Sequence, residues 1–152
     1  MSGSADEGAQ ALAERVVASM MTKDAFSRWL GVEILETRPR YSRIRMTVRA
    51  EMVNGFGVSH GGIVFSLADS ALAFASNTDG QVTVSIENSV TYPRPVQVGD
   101  VLTATAEEES SSSRLGFFRV SVVKDGGVPV AHFRGTVYRT DRRHPGGATE
   151  QR

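Results

Sequence analysis

The chain has 152 residues, enough for one domain with a single sizeable core, and its 17 Lys and Arg balance 17 Asp and Glu. Zero net charge gives no field to attract nucleic acid, and the absence of cysteine excludes disulfides and thiolate chemistry. The start, MSGSADEGAQ, lacks the basic and apolar regions of a signal peptide, and no run nears the ~18 apolar residues of a membrane span, so the sequence reads as soluble and cytoplasmic.

Residues 1–5 carry no pattern and are expected to be loose. Asp6 is placed to cap a helix toward Met21, whose Ala9, Leu12, Ala13, Val16, Val17 and Met20 recur at helical spacing. A short helix from Asp24 to Leu30 stops at Gly31. Residues 1–24 therefore read as a helical extension to a domain spanning 25–140. Period-2 alternation then takes over: Ile44, Met46 and Val48 share one strand face and Arg43, Arg45, Thr47 and Arg49 the other, with residues 32–39 as the hairpin partner. The arginines at 38, 40, 43, 45 and 49 mark that polar face rather than a nucleic-acid patch.

From Gly61 to about Asn77 runs a helix with little polar surface, which must be buried on most sides. Four strands follow. The first, at 82–91, is expected to turn Val82, Val84 and Ile86 inward and to end at Pro93 and Pro95. The other three bury Leu102, Ala104 and Ala106; Phe118, Val120 and Val122; and Ala131, Phe133, Gly135 and Val137. Asp125-Gly126-Gly127 makes the last hairpin turn, Ser110–Ser113 a polar loop, and residues 141–152 a disordered tail. Two strands, one buried helix and four strands, without βαβ alternation, predict an α+β fold: an antiparallel sheet wrapped around that helix.

Two motifs fail on context. Gly57-Val58-Ser59-His60-Gly61 matches G-x-S-x-G, but no strand enters Ser59 and the parallel α/β architecture is missing. The glycine series from Gly55 has His60 where a dinucleotide loop needs glycine. Three scattered histidines offer no metal spacing, so neither metal nor cofactor is expected.

A smaller constellation remains. Gly61 and Gly62 open the buried helix, where amides lack intrahelical partners and a ligand can reach the backbone. Asp69 sits mid-helix among Leu67, Ala68, Ala71 and Leu72, a costly place for a carboxylate unless it is used or satisfied. Asn54 either orients a water or carboxylate or simply makes an Asn-Gly turn. Eight residues of helix separate Gly61 from Asp69 by about 12 Å, so no single carbonyl meets both within one chain. If both act on one carbon, a two-fold-related second subunit supplies one of them. Ala71, Ala73, Ala75 and Gly62 suit such close helix pairing.

The order Asn54-Gly55, His60-Gly61-Gly62, Phe65-x-Leu67-Ala68-Asp69, Ala75, Asn77, with Tyr92-Pro93-Arg94-Pro95 and Phe133-Arg134-Gly135 beyond, resembles the hotdog-fold acyl-CoA thioesterases, most of all their phenylacetic-acid-degradation branch. The resemblance covers roughly residues 25–140. It implies an acyl-CoA substrate, a hotdog fold, and active sites at the interfaces of a homodimer or homotetramer. It implies Asp69 as the catalytic carboxylate, acting as general base or as nucleophile through a mixed anhydride, and the partner's Gly61 amide polarising the thioester carbonyl. His60 and Gly62 would shape that helix start, Asn54 would position water or thioester, and Arg94 and Arg114 would lie near the CoA nucleotide. A hydratase or dehydratase on the same fold, pairing His60 with Asp69, and a non-catalytic acyl-CoA-binding module are the rival readings.

Overall fold

The computed structural model describes residues 2–146. Three α-helices, α1 (Ser2–Lys23), α2 (Ala25–Leu30) and α3 (Gly61–Ser76), accompany six strands: β1 (Glu33–Arg38), β2 (Tyr41–Thr47), β3 (Gln81–Thr91), β4 (Val101–Ser111), β5 (Leu115–Lys124) and β6 (Val128–Arg143). All pairings are antiparallel, in the order β1-β2-β4-β5-β6-β3, so β1 and β3 are the edges. The sheet curls around α3. None of the described helices is long and apolar enough to cross a membrane.

Alternation drives this wrap. Ile44 and Met46 of β2, Leu102, Ala104 and Ala106 of β4, Phe118, Val120 and Val122 of β5, and Ala131, Phe133 and Val137 of β6 are buried, while the residues alternating with them are more exposed, save that Val130, just before Ala131, is buried as well. From α3, Val64, Leu67, Ala68, Ala71, Leu72, Phe74 and Ala75 fill the concave side. Burying Leu67, Leu72 and Phe74 contributes about 1.5–3 kcal/mol each. Gly135 lets β6 approach the helix, since a methyl there would overlap Leu72 Cδ2 and lie 2.8 Å from Asn88 Oδ1.

Three expectations need correction. Val84 and Ile86 of β3 face outward, 43% and 58% exposed, whereas Thr83 is buried. The cause is Asn77, the C-cap of α3. Its Oδ1 accepts the Thr83 N–H at 2.9 Å and its Nδ2 donates to the Thr83 carbonyl at 3.0 Å, setting the inward phase of β3 next to a bulge between Gln81 and Thr83.

The N-terminal residues are not loose either: α1 begins at Ser2 as exposed turns leading into a docked face of Ala13, Val16 and Val17. Val17 joins the common core and Gln10 Nε2 donates to the Thr37 carbonyl at 2.7 Å, so α1 is packed onto the sheet. At the other end β6 runs through Arg143, and His144 follows it onto the body of the fold, its amide on the Gly80 carbonyl at 2.9 Å and its Nε2 2.8 Å from Asn77 Oδ1. The rest of the tail expected to be disordered, residues 147–152, lies outside the described residues.

Candidate active site

The start of α3 is built by its own cap. His60 is extended (φ −59°, ψ 135°), and its Nδ1 accepts the Gly62 N–H at 3.1 Å, while its carbonyl accepts the Ile63 N–H at 3.0 Å. An Nδ1 used as acceptor leaves the proton of the neutral ring on Nε2. The Gly62 amide is thereby spent, so what Gly62 offers a ligand is space rather than a donor. Among the described residues, nothing accepts from the Gly61 N–H. Tyr92 seals the other side: its hydroxyl donates to the Gly61 carbonyl at 2.8 Å, and its ring lies 3.4 Å from where a Gly61 side chain would begin.

Gly61, Tyr92 and Arg94 line a cavity of about 240 Å³ with Val58, Ser59, Val64, Pro95, Val96 and Val130. An unpaired amide at a helix start, mostly apolar walls and a nearby exposed guanidinium suit a polarised carbonyl with an anionic group beyond it.

Two turns along α3, Asp69 is half-buried, and its carboxylate has no hydrogen bond or ion pair among the described residues. Burial, and secondarily the negative charge of Asp24, hold its pKa above the usual aspartate value. Gly62, Ser66, Asp69 and Ala73, at steps of four, three and four, form a stripe of α3 that the sheet leaves partly open. The acid thus faces away from the sheet, beside small residues.

Asn54 belongs to the loop entering this helix. Its Oδ1 accepts the Phe56 N–H at 2.9 Å and the Val58 N–H at 3.4 Å, and its own amide donates to the Val58 carbonyl at 2.8 Å. The Asn-Gly turn is therefore real. It still leaves the side-chain Nδ2 without an acceptor among the described residues, a donor available to a ligand. Ser59 has no base: it is buried, its amide donates to Val96, and the His60 ring is turned to Gly62. His132 is exposed on β6.

The structure therefore gathers His60, Gly61, Gly62 and Arg94 at one helix start, with Asn54 on the adjoining loop. Asp69 is set apart by about 12 Å of helix. Arg114 joins neither. It lies in the bend just before β5, bonded to Asp141 Oδ1 at 2.7 Å and the Arg139 carbonyl at 3.3 Å. Leu115, its neighbour, aligns through Tyr138 with Val84, eight residues of β3 or about 26 Å from Tyr92. Tyr92 itself escaped the sequence reading, where it marked only the end of a strand. Nothing in its spacing announced a contact with Gly61, thirty-one residues away.

Residues 56–131 match the model of the thioesterase superfamily. The chain belongs to the thioesterase superfamily. It is 36% identical over 121 residues to the acyl-coenzyme A thioesterase PaaI of Escherichia coli, covering 80% of this chain and 86% of that protein. It is 31% identical over 127 residues to human acyl-coenzyme A thioesterase 13, covering 80% and 91%. The solved structure of the E. coli PaaI protein superposes with a TM-score of 0.86 at 34% identity, over 88% of this chain and 97% of that one. The curled sheet around α3 is thus the hotdog fold, and the superfamily is one of thioester hydrolases.

Proposed function

We propose that this thioesterase hydrolyses acyl-CoA esters to the free acid and CoA, with an aromatic acyl group of the phenylacetyl kind as the first class to test. The observation that carries the reading is Asp69: a half-buried carboxylate with raised pKa and no partner among the described residues, on the same helix as an unpaired Gly61 amide. The similarity to the E. coli PaaI thioesterase supports the substrate class.

The two groups serve one carbonyl only if a second copy is present. Two features favour a two-fold dimer. The outer edge of β3, eleven residues long, is unpaired in the single chain and is a template for strand addition. The open stripe through Gly62, Ser66, Asp69 and Ala73 is small enough for a second α3 to pass closely. In such a dimer, Asp69 of one protomer faces the helix start of the other.

The chemistry follows. The Gly61 amide donates to the thioester oxygen as it gains charge. Asp69 takes a proton from water, whose oxygen adds to the carbonyl carbon. The tetrahedral intermediate then expels the thiolate, breaking C–S, and the thiolate recovers the proton. With Asp69 as nucleophile, its oxygen adds to the carbonyl carbon and expels the CoA thiolate, giving a mixed anhydride that water cleaves to the free acid, restoring the carboxylate as the thiolate gains the released proton. Asn54 Nδ2 orients the water or the thioester, and Arg94 flanks the exit toward the nucleotide. Thioesters, with weak resonance and a good leaving group, suit this sparse apparatus.

The hydratase reading loses ground because His60 Nδ1 is committed to the helix cap. A panel of acyl-CoA esters that includes phenylacetyl-CoA, with a thiol-trapping dye, tests the proposal. Steady thiol release supports it. Loss of enoyl absorbance without thiol release points to a hydratase, and an intact bound ester after long incubation to a binding module.

A further inference from the structure

Asp24 caps the six-residue α2. Its Oδ1 accepts the Ser27 N–H at 2.9 Å and its Oδ2 accepts the Ser27 hydroxyl at 2.5 Å. The Ser27 oxygen then lies 2.8 Å from Ser70 Oγ, forty-three residues on. A hydroxyl has one proton. Since Ser27 gives its own to the carboxylate, Ser70 is the donor in the second bond, and the chain runs Ser70 to Ser27 to Asp24. Both serines are buried, at 8% and 0% exposure, so this is a polar path inside the protein ending on a charge, where hydrogen bonds are strongest.

The path reaches α3 at the residue after Asp69. Nothing among the described residues bonds the Asp69 carboxylate, so its direction follows from how this turn of α3 is held. The strand residues packed against that helix, Ile44, Met46, Leu102, Ala104, Phe118 and Phe133, are uncharged. Asp24, the N-cap of α2, adds its negative charge to the effect of burial on Asp69.

We propose that Asp24 is a positioning residue for the reaction: through Ser27 and Ser70 it holds the turn of α3 that carries Asp69, and it places a negative charge at the outer end of that path. This rests on Asp69 being the reaction's carboxylate. A like charge makes a half-buried acid a stronger base, and a base of higher pKa draws a proton from water more effectively at neutral pH. The result is a catalytic acid tuned from within its own protomer, whatever the second subunit contributes.

The test compares kcat and KM across pH for the full-length wild type, Asp24→Asn, Asp24→Glu, Ser70→Ala and Asp69→Asn, with Tm for each. Asparagine caps a helix as well as aspartate, so Asp24→Asn removes the charge and keeps the cap. Its acid limb in kcat should move to lower pH, with kcat at neutral pH lower by roughly 2–5-fold and KM little changed. Asp24→Glu should keep the acid limb near its wild-type position. Ser70→Ala cuts the path but leaves the charge, so kcat falls without movement of the limb.

An Asp24→Asn protein whose acid limb and neutral kcat both match the wild type reduces Asp24 to a helix cap and overturns the inference. The same follows if Asp24→Asn does not fold and Ser70→Ala keeps full kcat. An active Asp69→Asn would overturn the underlying reading instead, and this inference with it.

Discussion

Adding one methyl at Gly61 separates what the helix start does for folding from what it does for catalysis. Gly61 is not in the left-handed region, so alanine meets no backbone strain there. The methyl would lie 3.4 Å from the Tyr92 ring and hydroxyl oxygen, ordinary contact rather than overlap. Removing a glycine from the unfolded chain's entropy stabilises by about 0.4–1 kcal/mol, and for a chain of this size 1 kcal/mol is roughly 2–4 °C of Tm. Gly61→Ala should therefore melt within about 3 °C of the wild type, on the stable side. Activity should move the other way, because the methyl narrows the approach to the amide that polarises the carbonyl. Losing one such donor costs about 10²–10³ in kcat. Thermal melts and thiol-release kinetics on phenylacetyl-CoA read both quantities. A Gly61→Ala protein with kcat/KM within about twofold of the wild type would show that no substrate reaches this amide.

Gly135→Ala should do the reverse. Its methyl overlaps buried Leu72, which has nowhere to move, so a cost of about 1–3 kcal/mol and a Tm lower by roughly 3–10 °C are expected, checked by thermal denaturation with Leu72→Val as a partial rescue. Asp69→Asn should abolish turnover yet raise Tm. The folded state holds the Asp69 pKa above its unfolded value, so the ionised form weakens folding once pH rises through that folded pKa. The gain should be present near pH 7 and vanish below the ordinary carboxylate range, as melts at pH 3 and 7 would show.

How far the sequence revealed this molecule depends on where each signal came from. Burial on a regular period was legible: the inward rows of β2, β4, β5 and β6 and the saturated face of α3 follow from alternation and helical spacing alone. β3 misled because its phase is set by the Asn77 side chain, a tertiary bond that no local pattern records. His144 escaped for a similar reason, since its anchor lies sixty-seven residues away.

At the site, Gly61 and Asp69 stood out through chemistry that is expensive in a buried helix. The roles of Tyr92, Asp24 and Ser27 depend on contacts across the fold, and Arg114, chosen only for its charge, lies at the far end of the sheet. Oddities of cost can be seen in a sequence; partnerships between distant segments cannot.

The central claim is that each active site takes its acid from one chain and its amide from another, and subunit mixing tests it directly. Asp69→Asn lacks the acid. Gly61→Pro lacks the amide, at a first helical position where proline is accommodated and after a His60 whose ψ of 135° suits a residue preceding proline. Each variant alone should be inactive. Unfolded together and refolded at equal amounts, half of the dimers should be mixed, each with one intact site of two, restoring about a quarter of wild-type turnover. Mixed dimers, verified by tag-based purification, that remain as inactive as their parents would contradict the shared site.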